Sequence, residues 1–144
     1  MEKGRYRIGS HSKYTIYYHV VFCPKYRRKI FKELAIDKHT KEAIRELAKH
    51  HNWTIEELET DINHIHIFLS APPSYSPAKI VNLIKTWTYH HIYNQHPEIK
   101  QYLWGGKLWC AGYYISTISD RTTKQEIGRY VRQQKAYLKQ LKLL

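Results

Sequence analysis

Two histidines separated by one residue, His64 and His66, stand in a stretch from Thr60 to Ser70 whose apolar residues alternate. Successive side chains of a strand point to opposite faces. Ile65, Ile67 and Leu69 then share one face, and Ile62, His64, His66 and Phe68 the other. Two imidazoles on same-side positions of a rigid strand can aim nitrogens at one point, and neutral imidazole is a common ligand of divalent metal ions. The plainer alternative is a pair of polar residues on a solvated sheet face, in a chain that has 10 histidines.

A second group with chemical capacity lies far downstream. From about Lys124 to Leu141 the residues Ile127, Tyr130, Gln134, Tyr137 and Leu141 recur at spacings of three and four, one stripe of a helix. Tyr130 and Gln134 are one turn apart and face the same way. Tyr130 can be read as a packing residue, since the chain has 13 tyrosines. It can also be read as a nucleophile, with the Gln134 oxygen completing a metal site begun by His64 and His66. The chemistry is coherent. A cation on a scissile phosphate oxygen offsets developing negative charge and orients the group for in-line displacement. A tyrosine, with an ordinary pKa of ~10, then attacks to give a covalent phosphotyrosine, which conserves bond energy for resealing. Oxygen donors favour Mg²⁺ or Mn²⁺ and imidazoles lean towards softer ions, so Mn²⁺ is the compromise.

The elements that would position these groups follow from periodicity and punctuation. Residues 14–23 are β-branched and aromatic on both faces, as in a covered strand, and Pro24 ends it. A basic turn, Lys25-Tyr26-Arg27-Arg28-Lys29, follows and offers phosphate contacts. Helical spacing runs from Asp37, read as the cap, to about His51. Trp53 to Glu59 alternates as a strand, pairing as a hairpin with the histidine strand. Ser76-Pro77 is a helix start, and that helix runs to about Gln95, with Ile80, Val81, Ile84, Trp87 and Ile92 inward. Leu108 to Ile118 reads as a further strand, and Thr122 or Thr123 caps the last helix. This order predicts an α+β fold: a ferredoxin-like or RNA-recognition-type antiparallel sheet with two helices on one face, plus a C-terminal helix carrying the tyrosine. Residues 1–13, mixed Gly, Ser and basic, read as a flexible basic arm, and 14–144 as a single domain.

Composition narrows the partner class. The net charge is +12, and it sits at the two ends. Residues 1–32 hold nine basic side chains against Glu2, and residues 121–144 hold seven against Glu126. Cations that track phosphates, with aromatics at 14% offering faces for unpaired bases, suit single-stranded nucleic acid. The DNA contacts expected are Lys25, Arg27, Arg28 and Lys29 on the turn and Arg129 and Arg132 on the last helix. Cys23 and Cys110 form no Cys-x-x-Cys pair or disulfide framework and read as buried packing residues. No apolar run is long enough to span a bilayer, and no signal segment begins the chain, so a cytoplasmic protein is expected, with no membrane partner.

His64-Ile65-His66 and Tyr130-Val131-Arg132-Gln133-Gln134 together resemble the paired motifs of the HUH single-tyrosine transposases, of the IS-two-hundred/IS-six-hundred-five type of insertion sequence. Val20 to Lys29, Leu103-Trp104-Gly105-Gly106 before Trp109, and Tyr113 to Thr117 match in the same order, so the resemblance spans residues 14 to 138. It implies a prokaryotic, nucleoid-associated enzyme that cuts and rejoins single-stranded DNA at its element's ends. That enzyme recognises imperfect hairpins and passes through a 5′-phosphotyrosine. It also implies a homodimer in which the tyrosine helix of one subunit can serve the histidines of the other. By this match Tyr130 is the nucleophile and His64, His66 and Gln134 the metal ligands.

The sequence departs from the family pattern at Asn63, where Asp is frequent, and at Lys85-Thr86-Trp87-Thr88, where many relatives carry Lys-Gly-Arg. On a continuous strand Asp61 would lie on the face opposite His64. Two other classes compete. A silent single-strand-binding module would use the same sheet and arms, but the RNA-recognition signature is missing. A small zinc hydrolase lacks an acidic base at fixed spacing from the histidines.

Overall fold

A computed structural model describes residues 7–9, 13, 14, 16–102, 107–118 and 133. The main elements are β3 (Tyr17–Phe22), α1 (Leu34–His51), β4 (Thr54–Asp61), β5 (His64–Ser70), α2 (Pro77–Gln95) and β6 (Tyr114–Ile118). Ahead of them β1 (Arg7–Ile8) pairs antiparallel with β2 (Lys13–Tyr14). The four longer strands form one antiparallel sheet in the order β4-β5-β3-β6. Strand β5 thus lies between β3 and β4, which α1 connects. This is the split βαβ arrangement of a ferredoxin-like fold, as expected. No helix among the described residues is long and apolar enough to cross a membrane.

The alternation in β5 decides which side of the sheet carries the helices. Ile65, Ile67 and Leu69 are completely buried, and they join Val20 and Phe22 of β3 in one apolar cluster with Ile44, Leu47 and Ala48 of α1 and Ile80, Val81 and Ile84 of α2. Each such Val, Leu, Ile or Phe side chain contributes about 1.5–3 kcal/mol by leaving water. Both helices therefore cover the isoleucine face and leave the histidine face to other work.

Helix ends follow local chemistry. Ser76 Oγ accepts the Lys79 N–H at 3.1 Å and Pro77 opens α2, so that boundary was readable. Helix α1 begins earlier than Asp37, with Glu33 at the cap position and no side-chain cap bond. Asp37 instead lies in the first turn, where it pairs with Lys41 and accepts a hydrogen bond from Thr60 Oγ1 of β4. Asn52 ends the helix at φ 57, a left-handed conformation that Asn tolerates, and its N–H reaches the carbonyls of Ala48 and Lys49.

Two strands differ from the sequence reading. Thr60 and Asp61 belong to β4, not to the histidine strand, and the chain reverses at Ile62-Asn63. Asp61 Oδ1 accepts the Ile62 N–H at 2.9 Å, a side-chain bond that turns the backbone and interrupts the alternation. The reversal sets Asp61 directly opposite His64, on the same face and not the other. The last strand is limited to Tyr114–Ile118, because Lys85 Nζ on α2 donates to the carbonyls of Cys110, Ala111 and Gly112 at 2.7, 3.3 and 3.1 Å. Trp109 makes only an isolated bridge to Pro24, while its indole N–H donates to Thr88 Oγ1 at 2.8 Å. Cys23 is buried as expected, whereas Cys110 is half-buried, and their sulfurs lie 3.2 Å apart without a disulfide bond.

Ile67 is completely buried at the middle of β5. Ile67→Ala should lower unfolding stability by about 2–5 kcal/mol. The check is urea denaturation followed by far-UV circular dichroism, with a loss below about 1 kcal/mol contradicting this account of the core.

Candidate active site on the histidine face

The sheet face turned away from the helices carries Tyr17, His19 and Val21 of β3, His64, His66 and Phe68 of β5, and Tyr114 of β6. The register Val21↔His66, His19↔Phe68 and Val21↔Tyr114 brings them together. His64 and His66 point the same way, with ring centroids 4.7 Å apart and planes at 78°. They are not solvated: His64 is 5% exposed and His66 3%. A buried polar ring needs hydrogen-bond or metal partners to offset lost hydration, so the solvated-face alternative is set aside.

Each imidazole has a polar neighbour within hydrogen-bond reach of its Nδ1. Asn63 Oδ1, in the β4–β5 turn, lies 3.2 Å from His64 Nδ1. His19 Nε2, on the neighbouring strand, lies 3.1 Å from His66 Nδ1. Burial lowers the His19 pKa from 6.5 to about 4, so that ring is neutral at physiological pH and can accept a proton through one nitrogen. The tautomer of each ring with hydrogen on Nδ1 would leave the lone pair on Nε2. Asp61 Oδ2 lies 3.6 Å from His64 Nε2, at ion-pair distance when that ring is protonated, so a carboxylate stands beside the nitrogen that faces away from Asn63.

These side chains are of the kind that binds a divalent ion: two imidazoles, each with a polar neighbour within hydrogen-bond reach of its Nδ1, and a carboxylate beside them. They do not complete a site alone. Among the described residues no cluster of three or more His, Cys, Asp or Glu side chains is placed to hold a metal. A further donor is required, and Gln134 is the one expected from the sequence. Gln134, Tyr130, Arg129 and Arg132 lie outside the described residues.

The basic turn stands at the same end of the sheet as His64. Phe22 pairs with Ile65, so the chain leaving β3 passes the start of β5, and the Phe31 N–H donates to the Ile62 carbonyl of the β4–β5 turn. Tyr26 adopts φ 60 and is 63% exposed. Arg28 and Lys29 are also exposed, and with Tyr26 and His96 they line a cavity of about 810 Å³. The Arg27 side chain lies outside the described residues. Lys85 does not join this surface. Its ammonium is spent on three loop carbonyls and lies over the Phe22 and Tyr113 rings at 5.6 and 5.5 Å. Burial lowers its pKa, and the neighbouring Cys110 and Cys23 act in the opposite direction.

Sequence reasoning missed His19 and misplaced Asp61. The alternation Tyr17, His19, Val21 was visible, but β3 is apolar or aromatic on both faces. Only the register against β5 shows which ring meets His66.

Comparison with known proteins gives the class to which this four-stranded ferredoxin-like sheet, with its buried His-x-His pair, belongs. The family profile described as "Transposase IS200 like" matches residues 12–134, so the chain belongs to the IS200-like transposase family. It is 31% identical to the ISDra2 transposase TnpA of Deinococcus radiodurans over 134 residues, covering 93% of this chain and 91% of that one. It is 32% identical to the transposase for insertion sequence element IS200 of Salmonella typhimurium over 128 residues, 87% and 80% of the two chains. Among solved structures, a candidate transposase from Deinococcus radiodurans R1 superposes with TM-score 0.70 at 26% identity, covering 89% and 97%. A REP-associated tyrosine transposase bound to a REP hairpin superposes with TM-score 0.55 at 13% identity, covering 85% and 68%, and shares the fold.

The depressed His19 pKa sets a pH dependence. Above pH ~6.5 the ring is neutral in the folded and unfolded chains alike and costs nothing. Between 6.5 and about 4 the unfolded chain takes up a proton that the folded chain refuses, so stability falls with pH, by about 3 kcal/mol once the lower value is passed. Urea unfolding from pH 7 to 4 with a chelator present should therefore show a shallower decline for His19→Phe than for the parent. Equal slopes would mean that His19 does not stay neutral.

Proposed function

We propose that this transposase cleaves and rejoins single-stranded DNA at the ends of its element through a covalent 5′-phosphotyrosine on Tyr130. The observation that carries the reading is the buried His64–His66 pair, set on one strand with a polar neighbour within hydrogen-bond reach of each Nδ1, in a chain whose family match extends across both Tyr130 and Gln134. His64, His66 and Gln134 would hold a divalent ion, Mg²⁺ or Mn²⁺, and Asp61 would add negative charge beside it. A bound ion of that kind would neutralise a scissile phosphate oxygen and orient the group.

The protein residues then divide the work. Tyr130 Oη attacks phosphorus in line, a tyrosine–phosphorus bond forms, and the bond to the 3′ oxygen breaks. That oxygen leaves with a proton as a free 3′ hydroxyl. In the reverse sense a second 3′ hydroxyl attacks the phosphotyrosine and restores the phenol, so no nucleotide cofactor is needed. Lys25, Arg27, Arg28 and Lys29, with Arg129 and Arg132, hold the backbone phosphates, and exposed Tyr26 offers a stacking face. The substrate proposed is a single-stranded hairpin at each element end, bound by a homodimer acting in the prokaryotic cytoplasm at the nucleoid. The hairpin in the REP-associated structure supports that substrate class.

Incubation with a single-stranded hairpin oligonucleotide and Mn²⁺ or Mg²⁺ should give a covalent adduct on denaturing gels. Tyr130→Phe should abolish it and leave hairpin binding largely intact. His64→Ala and Gln134→Ala should each lower metal-dependent cleavage by at least about tenfold while changing binding much less. An adduct that survives Tyr130→Phe would move the nucleophile, with Tyr137 the next candidate. Binding without cleavage under either metal would leave a silent single-strand-binding module.

A further inference from the structure

The metal reading gives His64 and His66 as ligands but leaves open what holds them as ligands. An imidazole that offers one nitrogen to a cation must keep its proton on the other, and an acceptor at that second nitrogen fixes both tautomer and ring angle. His64 finds its acceptor one residue away, at Asn63 Oδ1, within its own turn. The nitrogen facing His66 Nδ1 comes from another strand: His19 Nε2 at 3.1 Å. The two rings are nearly parallel, with centroids 5.4 Å apart and planes at 16°. Tyr114 of β6 meets the His19 ring edge-on at 6.2 Å and 71°. His19 is completely buried, and antiparallel pairing on both sides of β3 holds its backbone. Its ring therefore has little freedom to turn away.

We infer that His19 is a positioning residue of the catalytic centre: its Nε2 accepts the Nδ1–H of His66 and so holds His66 with the Nε2 lone pair presented to the ion. The inference rests on the metal-dependent reading above. It assigns the two ligands supports of different kinds, a turn amide for His64 and a central-strand imidazole for His66. A hydrophobic ring at position 19 would fill the same volume and stack equally well. What it would lack is the acceptor, and the test turns on that difference.

The first readout needs no metal. Long-range ¹H–¹⁵N spectra of the metal-free, full-length protein should show His66 with a protonated Nδ1 and an unprotonated Nε2. The second is Mn²⁺ affinity, measured by electron paramagnetic resonance titration without DNA. His19→Phe should weaken it by about 10–100-fold, whereas His19→Gln, which supplies a carbonyl acceptor, should recover much of the loss. Hairpin affinity in chelator should be the same in all three proteins.

A proton on His66 Nε2 in the parent protein would overturn the inference. Unchanged Mn²⁺ affinity in a folded His19→Phe would do the same, as would His19→Gln failing in step with it. If His19→Phe does not fold, the His66 tautomer and the His19→Gln titration decide. Failure of the underlying reading looks different: Mn²⁺ affinity would then be indifferent to His64→Ala and His66→Ala, while the metal-free spectra would still judge the His19–His66 bond.

Discussion

The pairing of β3 with β5 is the constraint on which the rest of the molecule depends. One register, Val20↔Ile67 with Val21↔His66, assigns every side chain of both strands to a face. A slip of one residue would exchange the faces, driving the histidines under the helices and the isoleucines out. Burial of Val20, Phe22, Ile65, Ile67 and Leu69 beneath α1 and α2 makes that slip costly. The force that stabilises the core is therefore the same force that fixes the direction of His64 and His66.

The histidine face is a buried polar surface, which is unusual enough to need a reason. Interior imidazoles lose hydration and must be compensated by partners. Here Asn63 and His19 sit behind the two candidate ligands, Asp61 sits beside one of them, and Tyr114 closes on His19. Such an arrangement restricts how the two rings can turn. A core of aliphatic residues on this face would pack at lower cost but could bind nothing charged.

Charge is arranged around this face by the same topology. Strand β3 delivers the basic turn to the end of the sheet where β5 begins, and the Phe31–Ile62 backbone bond ties the segment after the turn to the β4–β5 reversal. Exposed Arg28 and Lys29 thereby stand at the end of the sheet that His64 occupies. Lys85 shows the opposite use of a cation. On α2 it clamps the chain leading into β6. That clamp shortens the last strand and helps seat Trp109 against Phe22, whose rings meet edge-on at 4.8 Å.

Much of this was present in the residue order. Period-two alternation identified the histidine strand and its apolar face, Ser76-Pro77 marked the start of α2, and the succession of elements specified a ferredoxin-like sheet. Local patterns of that kind report local physics: strand periodicity, capping and turn chemistry. What the order of residues could not reveal depended on which strands become neighbours. The Asp61 side chain reverses the chain at Ile62, so a carboxylate expected on the far face stands opposite His64. His19 looked like one more residue of a covered strand until the β3–β5 register set its ring against His66. Both are cross-strand relations, created only when hydrophobic burial selects one register among several, and a linear pattern carries no record of that choice.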